Sequence, residues 1–300
     1  VKEFLYKIIG RLSLVLDYFK PLVFLFQKKR GDSWEGFDKT GLVAGEKPKR
    51  DVLWEDQEVL FIDYDNFAHA FWRAQELSLF KMHKELIEGP VLDFGCGDGS
   101  FAASLFEEVD YGVDNDPEAL ELAKISRVYK ALLKSTDHSI PLPASSVKTV
   151  ISNSVLEHLL NVDYTLSEIR RILKKDGLLI FTVPVPQFKK DIAKYFGCRE
   201  GTRVNRESYH RNLFDAELWT DTLRKHGFAI VKQIQFQPEW FTFWHWMFRF
   251  LGGRTMLGKF LHGVAMVVWK FYKKDVVEMV RISINQTISG ACIFVIAKKL

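Results

Sequence analysis

Residues Val91 to Ser100 read Val-Leu-Asp-Phe-Gly-Cys-Gly-Asp-Gly-Ser, an apolar run that ends in an acid and then breaks into glycines at alternate positions. The apolar residues after Pro90 suit a buried strand. Gly95, Gly97 and Gly99 let the backbone turn tightly and come closer to a ligand than any side chain would permit, so the helix that follows begins at the ligand. Twenty-one residues beyond Asp93, Tyr111-Gly112-Val113-Asp114 gives a second strand ending in a carboxylate. From that position an acid hydrogen-bonds both hydroxyls of a ribose.

Two kinds of cofactor use such an arrangement, and the glycine pattern separates them. A dinucleotide fingerprint, G-x-G-x-x-G, wants its last glycine at position 100, which here is Ser100. The chain has G-x-G-x-G instead. A pyrophosphate is best held by bare amides at a helix N-terminus, and the carboxylates of Asp93 and Asp98 would repel it. An amino-acid ammonium would welcome them. The ligand that carries an ammonium, a ribose and an adenine without phosphates is S-adenosylmethionine.

The loop resembles the first motif of the class I S-adenosylmethionine-dependent methyltransferases, in particular those of the methyltransferase type 11 family. Further segments follow in that family's order. Ser135-Thr-Asp-His-Ser-Ile-Pro-Leu-Pro143 is similar to the element that touches adenine and its following turn. Val147 to His158 resembles the fourth strand and the start of the next helix, and Ile169 to Pro184 the helix, glycine turn and fifth strand. Tyr209 to Ile234 matches more loosely. The resemblance implies cofactor contacts from Asp93, Gly95, Cys96, Gly97, Asp98 and Gly99 in the loop, from Asp114 and Asn115 at the second strand, from Asp137 and His138 at the adenine, and from Asn153. Arg73, with Glu76 in Phe71-Trp-Arg-Ala-Gln-Glu-Leu77, is placed at the methionine end.

The expected fold is α/β, Rossmann-like, with a seven-stranded, mostly parallel sheet, because strand and helix patterns alternate. Strands are expected at Val91 to Phe94, Tyr111 to Asp114, Val128 to Leu133, Thr149 to Ser152, Leu178 to Val183, Phe228 to Gln235 and Gly290 to Ala297. Helices are expected at Ser100 to Glu107, Pro117 to Ile125, Val162 to Leu173 and Asp215 to His226, the last stopped by Gly227. The resemblance implies that the last strand inserts antiparallel between the fifth and sixth. The 300 residues exceed this core. They divide into an N-terminal amphipathic basic extension (1–60), the core (61–236), an aromatic and basic helical insertion (237–289) and the last strand (290–300).

The additions bear on the acceptor. Glu239 to Leu251 carries three tryptophans and four phenylalanines among thirteen residues, and Pro238 to Lys274 holds six Lys or Arg against one acid. Residues 1–30 place Phe4, Leu5, Ile8, Leu12, Val15 and Phe19 on one helical stripe and then end in Lys28-Lys29-Arg30. Charges interrupt both segments too often for spanning. In-plane contact with a membrane through 1–30 and 239–274 is therefore expected, with packing on the protein as the competing reading. A secretory signal is not expected, and localisation is expected to be cytoplasmic, peripheral on the inner face of the membrane. Net charge is only +4 and the cations are not densely clustered, so no nucleic-acid partner is expected.

The expected acceptor is a hydroxyl of a membrane-presented glycan or lipid-linked molecule. A soluble small-molecule acceptor under an aromatic lid is the alternative, and a non-catalytic cofactor-binding scaffold is a third reading. A hydroxyl needs a base to take its proton. His158, ending Asn153-Ser-Val-Leu-Glu-His158, belongs at the C-terminal edge of the sheet, and His210, in Ser208-Tyr-His-Arg-Asn-Leu-Phe-Asp215, follows the fifth strand. Both are base candidates, each with a purely structural role as its rival. Cys96, Cys198 and Cys292 show no C-x-x-C spacing, and no metal-ligand pattern occurs, so neither disulfide nor metal is expected.

Overall fold

The computed structural model describes residues 53–55, 58–60, 67–136, 139–251, 280–284 and 289–300. The chain divides into two units, Val1–Ala44 and Gly45–Leu300, and every described residue lies in the second. The amphipathic stripe at 1–30, the basic stretch 252–279, and Asp137 and His138 fall outside the described residues.

Strand β1 (Leu53–Glu55) and strand β2 (Glu58–Leu60) pair as a small antiparallel hairpin. Helix α1 (Phe67–Met82) leads into the sheet. The order is then β3 (Val91–Phe94), α2 (Ser100–Leu105), β4 (Val109–Asp114), α3 (Pro117–Ser126), β5 (Tyr129–Lys134), β6 (Val147–Asn153), α4 (Val162–Ile172), β7 (Leu173–Pro184), α5 (Pro186–Phe196), α6 (Cys198–Glu207), α7 (Ala216–Lys225), β8 (Phe228–Phe236), α8 (Glu239–Leu251) and β9 (Cys292–Lys299). The seven-stranded sheet runs β5-β4-β3-β6-β7-β9-β8. Strand β3 lies parallel to β4 and β6, whereas β9 is antiparallel to both neighbours. The architecture is the Rossmann-like one, with the last strand between the fifth and sixth.

Both faces are covered. On one, Leu166 and Ile169 of α4 and Trp219 and Leu223 of α7 pack on Val150, Leu179 and Val295. On the other, Leu77 and Phe80 of α1 and Ala102 and Leu105 of α2 pack on Ile151, Ile180 and Phe294. An interior strand needs apolar residues on both sides. In β9 all six residues from Cys292 to Ala297 are buried.

Local chemistry sets the helix ends. Asp116 precedes Pro117 and accepts from the Glu118 amide at 2.9 Å, and Asp215 accepts from the Leu218 amide at 2.8 Å. Several expected boundaries move, by one to five residues. The helix expected to reach Glu107 stops at Leu105, because Phe106 turns extended and its amide closes on Ala102 at 2.8 Å. The strand expected from Leu178 begins at Leu173, directly after α4, with Leu173 opposite Val147 and a register shift before Thr149.

Helices α5 and α6 and the start of α8 form an aromatic layer. Phe188, Ile192, Val204 and Trp246 pack together, with Trp72 and Phe196 against them. Phe241 of α8 stacks on Phe71 of α1 at 3.9 Å, and Phe196 stacks on Phe243 at 6.0 Å. Phe241, Thr242, His245 and Trp246 are buried. That part of the aromatic run therefore faces protein. No helix among the described residues is long and apolar enough to cross a membrane.

Candidate functional site

Because β3, β4 and β6 are parallel, their C-terminal ends meet at one edge of the sheet, where ligands bind in open α/β folds. The glycine loop leaves β3 there. The Gly95 and Cys96 amides both donate to the Val113 carbonyl, at 2.8 and 3.0 Å, tying the loop to β4. Gly95, Gly97 and Gly99 have φ of 75°, 54° and 77°, a region costly for any residue with a Cβ. At Gly95 a Cβ would lie 2.4 Å from Val155, and at Gly99 2.6 Å from the Ser126 hydroxyl. At Gly97 it would meet nothing within 4 Å. Gly95 and Gly99 thus make the loop's own packing, and Gly97 leaves a bare backbone facing open space.

Asp114, at the end of β4, accepts from the Gly97 amide at 2.8 Å through Oδ2 and from the Asp116 amide at 3.0 Å through Oδ1. The carboxylate is half-buried and fixed in direction, and each oxygen keeps a further lone pair with which to accept. Asn115 beside it is exposed. Asp93 is buried beneath the loop and accepts from the Tyr129 hydroxyl at 2.6 Å. Burial pushes its carboxyl up to about 7, opposed by the Tyr129 hydrogen bond and aided by the Asp114 charge. Asp98 is exposed and caps the Ser100 amide at 2.8 Å. The Cys96 side chain is buried against Leu120 and Ala123, and its thiol is driven far up by burial and by the nearby Asp93 and Asp114 carboxylates. It is no thiolate nucleophile. A cradle open at Gly97 and flanked by the carboxylates of Asp93, Asp98 and Asp114 fits a phosphate-free nucleoside that carries an ammonium.

Glu76 organises the adjoining wall. It is 1% exposed and accepts from the Trp72 indole at 3.0 Å, the Asn153 amide at 3.1 Å, the Ser154 hydroxyl at 2.6 Å, the Thr182 hydroxyl at 3.2 Å and the Arg73 guanidinium. One carboxylate therefore ties α1 to the ends of β6 and β7. The Asn153 side chain is spent within this net, since its oxygen lies 2.7 Å from the Thr182 hydroxyl, whose single proton is shared between that oxygen and Glu76. Ser154 sits in the left-handed region at φ 54°, with its amide donating to the Thr182 carbonyl at 3.0 Å.

Beside this net opens a cavity of about 400 Å³, lined by His69, His158, His210 and His245 with Trp72 and Phe188 as aromatic walls. Arg73, Ser154 and Glu157 supply its polar side. Ser154 lines the cavity while its neighbour Val155 presses on Gly95, so one turn separates the cavity from the glycine loop. His158 ends the short turn Leu156–His158, and His210 stands 52 residues on, yet their rings lie 5.3 Å apart. The chain at 209–212 is stitched to that turn. The Arg211 and Asn212 amides donate to the Glu157 carbonyl at 2.7 and 2.9 Å, and the Asn212 side chain donates to the Leu156 and Leu159 carbonyls at 2.9 and 2.8 Å.

His158 is 41% exposed, with Nδ1 3.5 Å from the Tyr209 carbonyl and Nε2 3.5 Å from Glu157. Burial holds its imidazole below the usual histidine range. Glu157 is buried, and that burial, with the Glu76 charge, pushes its carboxyl up to about 8. Glu157, His158 and His210, which show no metal-ligand spacing in the chain, bring one ligand atom each within 4.8 Å of one another. Spacing in the chain could not reveal this, since a fold contact joins them.

The two base candidates are thus brought together. Arg73 lies on the cavity wall, paired with Glu76. Sequence reasoning missed Asn212, His69, His245 and Glu157, and gave Glu76 only a side role. None carries a local signal except Glu157, which adjoins His158 in an otherwise apolar turn.

The comparisons concern the core that carries the glycine loop. A family model described as a methyltransferase domain matches residues 92–181, from β3 into β7. The chain is 31% identical over 163 residues to an uncharacterized methyltransferase of Bacillus subtilis, a match covering 50% of this chain and 64% of that protein's own length. It is 33% identical over 189 residues to an uncharacterized protein of Methanocaldococcus jannaschii, covering 56% of this chain and 72% of the relative. Among solved structures, a SAM-dependent methyltransferase of Thermotoga maritima, described as a possible histamine N-methyltransferase, superimposes with TM-score 0.51 at 21% identity, over 78% of this chain and 92% of that one. This last likeness concerns the fold.

Proposed function

Because this chain belongs to the class I S-adenosylmethionine-dependent methyltransferases, we propose that it methylates a hydroxyl of an acceptor seated in the histidine-lined cavity. The observation that carries this is the Asn153-Ser154-Val155 turn, which presses on the glycine loop with one residue and lines the cavity with the next. Bound in the loop, S-adenosylmethionine supplies a methyl group already activated by its sulfonium charge. The protein then has to align the acceptor, exclude water and receive a proton.

Gly97 and Asp114 hold the nucleoside, and Asp93 and Asp98 face its ammonium. Trp72 and Phe188 flank the acceptor, and His245 of α8 completes that wall. His158 and His210 are the groups that receive the hydroxyl proton. Calorimetric titration with S-adenosylmethionine tests the first half: Asp114→Asn should bind at least about tenfold more weakly, a loss of ~1.4 kcal/mol. No binding by the unaltered chain, or equal binding by both, refutes it. For the second half, His158→Ala and His210→Ala should lower turnover at saturating cofactor by about 10²–10⁴. Wild-type rates in both remove the base assignment.

A lipid-linked or membrane-presented glycan acceptor is the finer reading. Its support is the basic, aromatic composition of 1–30 and 239–274. The burial of Phe241 and Trp246 favours instead a small-molecule acceptor under an aromatic lid. Flotation with anionic vesicles separates them: co-migration of the full chain, lost on deleting 1–30, supports the membrane reading, and no co-migration supports the lid.

A further inference from the structure

We propose that Glu157, His158 and His210 form a binding site for a first-row divalent transition ion at the floor of the cavity. This goes beyond methyl transfer, since the site would bind its ion whether or not an acceptor is methylated. The three ligand atoms lie within 4.8 Å of one another, so some point lies within about 2.8 Å of all three. Metal–ligand bonds of about 2.0–2.2 Å then need shifts of under an ångström, within reach of small side-chain rotations.

Independent features of the structure point to a cation there. Glu157 is 1% exposed, and its Oε2 has no hydrogen-bond partner among the described residues. Buried carboxylate oxygens are normally satisfied, and this one belongs to a residue lining the cavity. The contact with His158 Nε2 engages only the other oxygen, Oε1, at 3.5 Å. His158 Nδ1 lies 3.5 Å from the Tyr209 carbonyl, a contact in which the ring nitrogen can only donate, and Nε2 is the ring nitrogen on the Glu157 side, 3.5 Å from its Oε1. Metal-bound histidines characteristically present their second nitrogen to such a carbonyl.

The fold also holds the ligands in place without the ion. Both amides after His210 are bound to the Glu157 carbonyl, and Asn212 grips the carbonyls on either side of the turn. The turn that carries Glu157 and His158 is therefore tied directly to the segment that follows His210.

The donor set selects the ion. Two imidazole nitrogens and one carboxylate oxygen suit zinc, cobalt, iron or manganese, whereas magnesium and calcium prefer oxygen alone. Three protein ligands leave a coordination position open toward the cavity, as catalytic rather than structural sites do. A hydroxyl placed at that position would be made more acidic by the ion.

The test uses the full, tag-free chain freed of metal by chelator dialysis and titrated with Co²⁺ alone. Visible ligand-field absorption and calorimetry should report one ion per chain. Glu157→Gln and His210→Ala should each weaken uptake at least about tenfold, while His226→Ala, which removes a histidine paired with Asp163 elsewhere, leaves it unchanged. Excess Mg²⁺ should not displace the ion. Circular dichroism melts show that each variant is folded. Should Glu157→Gln fail to fold, the exposed His158→Ala replaces it. No uptake by the unaltered chain, uptake undiminished in the variants, equal loss in His226→Ala, or displacement by Mg²⁺ overturns the proposal. Co²⁺ uptake without S-adenosylmethionine binding would leave this site standing and the methyl-transfer reading fallen.

Discussion

Replacing Glu76 tests whether the wall between cofactor and acceptor is held by one buried charge. The carboxylate is 1% exposed and collects five donors, from Trp72, Arg73, Asn153, Ser154 and Thr182. Glu76→Ala removes all of these acceptors at once and takes from the Arg73 guanidinium its buried counter-charge. Breaking a buried pair by removing one partner costs about 3–5 kcal/mol. The bonds act as a unit, so their separate worths do not add to that figure.

A gentler perturbation isolates one bond. The Ser154 hydroxyl donates to Glu76 at 2.6 Å, and a hydrogen bond to a charged group contributes about 1.5–3 kcal/mol. Urea unfolding of the wild type, Glu76→Gln, Ser154→Ala and the double variant gives a coupling energy, expected near ~1.5 kcal/mol. The same variants should bind S-adenosylmethionine more weakly, because Ser154 fixes Val155 against Gly95. A Glu76→Ala protein within about 1 kcal/mol of wild type, or a coupling below about 0.5 kcal/mol, would refute the reasoning.

Gly99→Ala should destabilise by at least ~2 kcal/mol, because its Cβ meets Ser126 at 2.6 Å and Tyr129 at 2.9 Å at a φ of 77°. Gly97→Ala meets no atom within 4 Å and should cost only ~1–2 kcal/mol, yet weaken S-adenosylmethionine binding more than stability; thermal melts beside calorimetry read the contrast, which equal effects on both would refute. Asn212→Ala leaves the Leu156 and Leu159 carbonyls without that donor and should lower acceptor turnover while sparing cofactor affinity; unchanged turnover would dissociate the clamp from the site. Asp93, raised by burial to about 7, is protonated in the folded chain at pH values where the unfolded chain has lost the proton, so its contribution to stability is present below about pH 4 and is lost as pH rises through about 7. Affinity for a cationic cofactor should move the other way, rising about tenfold from pH 6 to pH 8, and Asp93→Asn should flatten that rise.

The cofactor half of the site was legible because its chemistry is local. Gly95, Gly97, Gly99 and Asp93 sit within seven residues, and Asp114 follows after one helix, so their spacing alone reveals a strand, a turn and a carboxylate. The missed helices lacked that advantage in different ways. For α5 the signal was present, since Pro186 stands at its first turn with Phe188 and Ile192 on one face. For α6 there was little to see: Cys198–Glu207 is polar almost throughout, and only Gly201 and Val204 are buried. Its place is set by contact, as a Cβ at Gly201 would come 2.8 Å from the Lys189 carbonyl.

The acceptor half is assembled by long-range contacts, and single-chain spacing is blind to those. Glu76 reaches Asn153, Ser154 and Thr182 across 77, 78 and 106 residues, and Asn212 reaches Leu156 across 56. Periodicity placed the aromatic run of α8 on a helix but could not say what it faces, because lipid and an aromatic protein wall select the same residues. Phe241 on Phe71 answers for the first turns of that helix. The same division governs how the two halves should vary in response to mutation. A loop whose geometry is written into three glycines fails one residue at a time, whereas a cavity held by Glu76 and Asn212 fails as a unit, so substitutions at Ser154 and Asn153 should couple strongly while those at Gly97 and Asn212 add.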